Sequence, residues 1–130
     1  MPLVRIDLRR GKSAEYRRAI ADGIYAAMHE TIQVPERDRF EIISEHDAEN
    51  LIYDRQYLGI ERSDDFVLVQ IALRRGRTTE AKQALYRRIT ERLREAPGIR
   101  PEDVLVTLLE NGVDDWSFGN GQAQYVMPTQ

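Results

Sequence analysis

Near the start of the chain Val4, Ile6 and Leu8 alternate with Arg5 and Asp7, the period-two pattern of a strand with one buried face. Residues 66–73 read FVLVQIAL, almost without a polar break, as in a strand covered on both faces. Between and after these segments the period changes. Tyr16, Ile20, Ile24, Ala27 and Met28 recur at three- and four-residue spacing, and so do Leu85, Ile89 and Leu93, which predicts two helices, each with one apolar stripe. Ser13 and Thr78 stand just ahead of the stripes, with Glu15 and Glu80 behind them. A hydroxyl there caps the helix, and a carboxylate in the first turn suits the helix dipole. The helices are expected to stop before VPER and at APGIRP, with strands resuming over residues 39–45 and 104–110. The tail DDWSFGNGQAQY predicts a short C-terminal hairpin.

The two halves share one register. LRRGKS at residues 8–13 returns as LRRGRT at residues 73–78, an offset of 65, and the same offset pairs Ile20 with Leu85, Ile24 with Ile89, Met28 with Leu93 and Asp38 with Asp103. Segments 2–46 and 65–110 are therefore copies of one strand–helix–strand unit within a single domain, residues 1–130. Such units make parallel strand pairs through right-handed crossovers. The expected fold is α/β (α+β): a four-stranded mixed sheet with both helices on one face, plus the hairpin. The bare face of that sheet calls for an oligomer.

Composition narrows the function classes. The 19 basic and 22 acidic residues leave a net charge of −3 and are interspersed along the chain, so no broad field recruits nucleic acid or an anionic membrane. Without cysteine there is neither a disulfide nor a thiolate metal site. No apolar run approaches the ~20 residues that span a bilayer, and a cytoplasmic location is expected. His29 and His46 lack ligand spacing, so no metal is predicted. GKS at residues 11–13 has no earlier glycine at the spacing of a phosphate loop and reads as a helix start. The Arg-rich stretch YRRITERLRE predicts a solvated helix face, with Arg87 and Glu91 four residues apart.

The chemistry-bearing positions gather at one end of this topology. If the first and third strands are antiparallel neighbours, the third ends beside the start of the first, which brings Arg75 and Arg77 near Pro2. Asp38, just ahead of the second strand, enters at the same end. Proline is tolerated at the first position of a strand because no ladder hydrogen bond is lost there. Pro2 also becomes a secondary amine if Met1 is removed, and an α-amino group with a pKa of ~7.7 to 8.0 is poised to act as acid or base. Paired guanidiniums suit a carboxylate. At the opposite end Arg10 and Lys12 occupy the matching turn, where the chain offers no free amine.

MPL, VPERDRF, LGIERS and above all DWSFGNGQAQY resemble the tautomerase superfamily, in particular its branch containing malonate semialdehyde decarboxylase. That resemblance spans nearly the whole chain. It implies a homotrimer with active sites between subunits, no cofactor, and catalysis by the amino-terminal proline of the mature chain. Matched by motif, the catalytic set falls on Pro2, Asp38, Arg75 and Arg77. By the same match Arg75 and Arg77 are expected to bind the substrate carboxylate, and Trp116, Phe118 and Tyr125 to supply an apolar wall. Where the decarboxylase places proline between two arginines, this chain has Gly76, and Arg74 is additional. The implied activity is decarboxylation of a 3-oxo acid such as malonate semialdehyde. Keto–enol tautomerisation of a 2-oxo acid such as phenylpyruvate, hydration of an activated acid, and a non-catalytic oligomeric module with the same fold are the alternatives.

Overall fold

A computed structural model describes residues 2–127. The strands are β1 (Leu3–Arg9), β2 (Phe40–His46), β3 (Val67–Arg74) and β4 (Val104–Asn111), and the long helices are α1 (Ala14–Ile32) and α2 (Thr79–Glu95). The sheet order is β2-β1-β3-β4, with β1 parallel to β2, β3 parallel to β4, and the two central strands antiparallel. An approximate two-fold between β1 and β3 relates the halves.

The repeat holds at the level of backbone detail. Ser13 and Thr78 each accept a hydrogen bond from the amide three residues on, at 3.1 Å, which caps one of the unpaired donors at each helix start. Gly11 and Gly76 take φ of 124° and 127°, a region open to glycine and costly for other residues. Val4, Ile6 and Leu8 of β1 and Val67, Val69, Ile71 and Leu73 of β3 are buried beneath Ile20, Ile24, Met28, Leu85, Ile89 and Leu93 of the helices. The predicted stripes are thus the core, and both helices share one face of the sheet.

The opposite face is open within the chain. On that face Leu68, Gln70, Ala72 and Arg74 of β3 are only half-buried, so the chain itself covers one side of β3. Phe40, Ile42, Leu105 and Leu109 of the outer strands are exposed, and the Asp7–His46 pair, 2.6 Å apart, sits among them.

Two local expectations are corrected. The tail forms no hairpin: residues 113–115 and 124–126 are single 3₁₀ turns, because Gly119, Asn120 and Gly121 all adopt positive φ and the Gln124 amide closes the loop. Its Oε1 accepts from Phe118 N and its Nε2 donates to Gly119 O, both at 2.9 Å. On α2, Arg88 rather than Arg87 reaches Glu91, at 3.0 Å, and Arg88 and Arg92 both bind Glu30 of α1, so this face ties the helices together. Among the described residues no helix is long and apolar enough to cross a membrane.

Candidate active site

The strand register defines two ends of the sheet. At the near end β1 and β2 begin and β3 and β4 finish. Leu3 lies opposite both Phe40 and Ala72, so the chain preceding it runs between the approach to β2, which carries Asp38, and the exit of β3, which carries Arg74. Pro2 is buried at this position.

A cavity of about 320 Å³ opens there, walled by Ile32, Gln33, Val34, Pro35, Asp38, Arg74, Arg77 and Tyr125. One wall is the exit of α1. The helix ends on Gln33 in the left-handed region. Tyr25 then donates its hydroxyl to Pro35 O at 2.9 Å, and His29 Nδ1 donates to Val34 O at 2.7 Å. This fixed turn delivers Asp38, whose amide donates to Pro35 O at 3.3 Å. Asp38 is 3% exposed, and neither carboxylate oxygen has a hydrogen-bond partner. Desolvation pushes its pKa up, and the positive charge of Arg74 opposes that rise.

Arg74 and Arg77 form the cationic wall. Arg74 closes β3 on the open-face alternation of Leu68, Gln70 and Ala72, and its guanidinium lies 4.5 Å from the centre of the Tyr125 ring, a cation–π distance. The Gly76 turn then brings Arg77 back, and its Nη1 donates to Arg74 O at 2.9 Å. Burial, and next the charge of Arg74, lower the pKa of Arg77. The acid nearest in influence, Glu110, is engaged by Lys82 at 2.9 Å. Among the described residues neither guanidinium has a carboxylate partner.

Of the positions expected from sequence, Asp38, Arg77 and Tyr125 meet in this cavity and Pro2 lies at its end of the sheet. Arg75 does not join them. It is exposed, its amide donates to Asn111 O at 2.8 Å, and its guanidinium lies beside Gly112. Arg74 takes the place expected of Arg75, and strand alternation continued from Leu68 through Arg74 is the signal that finds it. Trp116 and Phe118 stand behind Tyr125. Their rings stack at 5.3 Å, Phe118 meets Tyr125 edge-on at 5.1 Å, and Phe40 closes the group at 6.3 Å from Phe118. Trp116 Nε1 donates to Asn111 Oδ1 at 2.7 Å, which orients the stack. Among the described residues no group of three or more His, Asp or Glu is placed to hold a metal ion.

Comparison with known proteins identifies the family of this fold. A family described as tautomerase enzyme matches residues 38–119, and a second of the same description matches residues 2–59. The probable tautomerase YusQ of Bacillus subtilis (strain 168) is 42% identical over 97% of this chain and 99% of its own. FG41 malonate semialdehyde decarboxylase, in a crystal structure inhibited by 3-bromopropiolate, superposes with a TM-score of 0.90 at 44% identity over 95% of this chain and 94% of that one. A fused 4-OT symmetric trimer, 23% identical, shares the fold with a TM-score of 0.77 over 92% of this chain and 94% of that chain. The chain therefore belongs to the tautomerase family of enzymes.

Proposed function

We propose that this enzyme decarboxylates a small 3-oxo acid, of which malonate semialdehyde is the type, with Pro2 as its amine. The observation that carries the proposal is that Asp38, Arg74 and Arg77 meet in one cavity, the Asp38 carboxylate without a hydrogen-bond partner and neither guanidinium with a carboxylate partner among the described residues. Unsatisfied groups at this depth are costly unless a ligand completes them. An acid held by the two guanidiniums and presenting an oxygen to Pro2 is such a ligand. Met1 lies outside the described residues, and its removal is part of the proposal because an acylated proline nitrogen is no base or acid. Arg75, expected from sequence, is replaced in this role by Arg74.

In the proposed reaction Arg74 and Arg77 orient the substrate carboxylate while protonated Pro2 donates to the carbonyl oxygen. The carbon–carbon bond breaks, its electron pair passes into the carbonyl as an enol forms, and carbon dioxide leaves. Protonation of the enol carbon by a proton from solvent, with return of the hydroxyl proton to Pro2, gives the aldehyde and restores the protonated amine. Negative charge thus moves from carboxylate to carbonyl oxygen, where the amine proton meets it. Asp38 favours the cationic amine, and Tyr125 with Trp116 and Phe118 keeps the site poor in water. We further propose a homotrimer. The exposed Phe40, Ile42, Leu105 and Leu109 of the open face support burial against copies of the chain, and the trimeric relative of the same fold supports the number.

One observation favours a second chemistry. Arg74 and Arg77 both disfavour a third positive charge nearby, and a neutral Pro2 is the base that a keto–enol tautomerase requires. The test is to give Met-free enzyme malonate semialdehyde and phenylpyruvate enol while titrating the Pro2 nitrogen by NMR. Carbon dioxide release with an amine titrating above neutrality is expected. An amine titrating well below neutrality, with enol–keto conversion and no carbon dioxide, overturns the decarboxylase in favour of the tautomerase.

A further inference from the structure

At the far end of the sheet the repeat places the same three positions again. An offset of 65 carries Arg74 onto Arg9, Arg77 onto Lys12 and Asp38 onto Asp103, and the Gly11 turn copies the Gly76 turn. Here every one of the three is engaged, and by three consecutive residues. Ser63 N and Ser63 Oγ each donate to the Asp103 carboxylate at 2.6 Å. The Asp64 carboxylate meets Arg9 Nη1 at 3.1 Å, and the Asp65 carboxylate meets Lys12 Nζ at 2.6 Å. A cavity of about 220 Å³ remains between Arg9, Lys12 and the two aspartates. Arg9 Nε, buried beside it, still lacks an acceptor.

We infer that the far end is a second carboxylate-binding site, filled in cis by the Asp64 and Asp65 side chains of the segment joining β2 to β3. Ordinary surface ion pairs would scatter over partners. These instead fall, in order, on the repeat counterparts of the near-end residues, and the hydroxyl of Ser63 takes the position a ligand hydroxyl would take on Asp103. The segment is held in place by Tyr53, which stacks on Phe66 at 4.2 Å and donates to Ser63 O at 2.6 Å, and by Arg55, which binds Asp64 at 2.8 Å. Burial of the Lys12–Asp65 pair is modest, so a small acid competes with it only when the tethered carboxylates, present at high effective concentration, are removed. The choice of a carboxylate as ligand draws on the near-end proposal, whereas the occupation of the far end rests on the contacts themselves.

The two ends can be followed separately by NMR, through the amides of Gly11 and Lys12 at one end and Gly76 and Arg77 at the other. Malonate serves as the probe. In the native enzyme it is expected to move the near-end amides only. In the D64N/D65N variant the far-end amides should move as well, with at least tenfold tighter binding than at the same end of the native chain, and adding Lys12→Ala should abolish that response. The single variant D65N leaves the Asp64 and Ser63 contacts intact and should give a smaller gain, so the inference stays testable if the double variant unfolds. Far-end amides that stay still throughout in a folded variant overturn the inference, as do far-end amides that move equally in the native enzyme. Near-end amides that fail to move count against the proposed function and leave the far-end result unaffected.

Discussion

Asp38 and Asp103 stand at the same position of one repeated unit, both beneath the sheet's rim and both almost wholly buried, yet they have opposite surroundings. Asp103 accepts two hydrogen bonds from Ser63 and lies 3.7 Å from Arg100 Nε. Asp38 accepts none among the described residues, and it lines a cavity with Arg74 and Arg77, neither of which has a carboxylate partner among those residues. A duplicated fold produces two such ends at once, and a structural role and a ligand-binding role cannot be told apart from the shared residues alone. What separates them is the segment 63–65, which completes one end and has no counterpart at the other among the described residues. Buried polar groups are ordinarily satisfied, and that is why the unsatisfied copy is the one proposed to bind a ligand.

Breaking the satisfied end should have the largest effect on stability. Asp103→Ala leaves the Ser63 amide and hydroxyl without their acceptor, and such losses cost about 3 kcal/mol, or roughly 10 °C in melting temperature for a chain of this size. Thermal unfolding followed by circular dichroism reads this directly. A loss under about 1 kcal/mol would mean that water replaces the carboxylate and that the far end is not sealed.

The unsatisfied end should respond in the opposite sense. Asp38→Asn is expected to stabilise the folded chain by about 1 kcal/mol near neutral pH, because it removes a desolvated charge. The pKa of Asp38 is raised above its ordinary value of 3.8, so the folded state prefers the protonated carboxyl. That preference supports the native chain fully below the ordinary value and is lost as pH rises through the raised one. The advantage of the variant should therefore vanish in acid and reach its full size only above the raised pKa. Melting curves across pH check both limits, and an advantage that persists unchanged below pH 3.8 would point to packing instead of charge.

The smallest expected effect belongs to Arg75. Its guanidinium lies outside the cavity and is exposed, so Arg75→Ala should change kcat/KM by less than about threefold, as exposed rim charges do. A loss comparable to that at Arg77 would return Arg75 to the site and displace Arg74.

Much of this was legible in the sequence. Period, caps and the 65-residue repeat give all four strands and both helices to within a residue or two, because each signal reflects local backbone geometry or one buried stripe. The tail was not legible. Alternating Trp116 and Phe118 suggested strands, but the glycines and the Gln124 amide impose turns, and side chain–backbone closure of that kind leaves no periodic trace. The arginines show a finer limit. Arg74, Arg75 and Arg77 crowd one turn, and only the alternation of β3, followed to its last residue, decides which of them faces the cavity. The asymmetry between the two ends was hidden as well, since Asp64 and Asp65 carry no motif and residues 63–65 act through contacts 40 positions apart in sequence for Ser63 and Asp103 and over 50 for Asp64 and Asp65.

The measurement that bears most directly on the near end as the active site is kcat/KM of Met-free enzyme for malonate semialdehyde, compared across Arg74→Ala, Arg77→Ala, Arg9→Ala and Lys12→Ala. Losing a desolvated charge contact to substrate costs on the order of 2 to 4 kcal/mol, so Arg74→Ala and Arg77→Ala should each fall by about 30- to 1000-fold. Arg9→Ala and Lys12→Ala, whose side chains pair with Asp64 and Asp65 at the far end, should stay within about threefold of the native enzyme. Equal losses at the two ends, or larger losses at Arg9 and Lys12, would contradict the assignment.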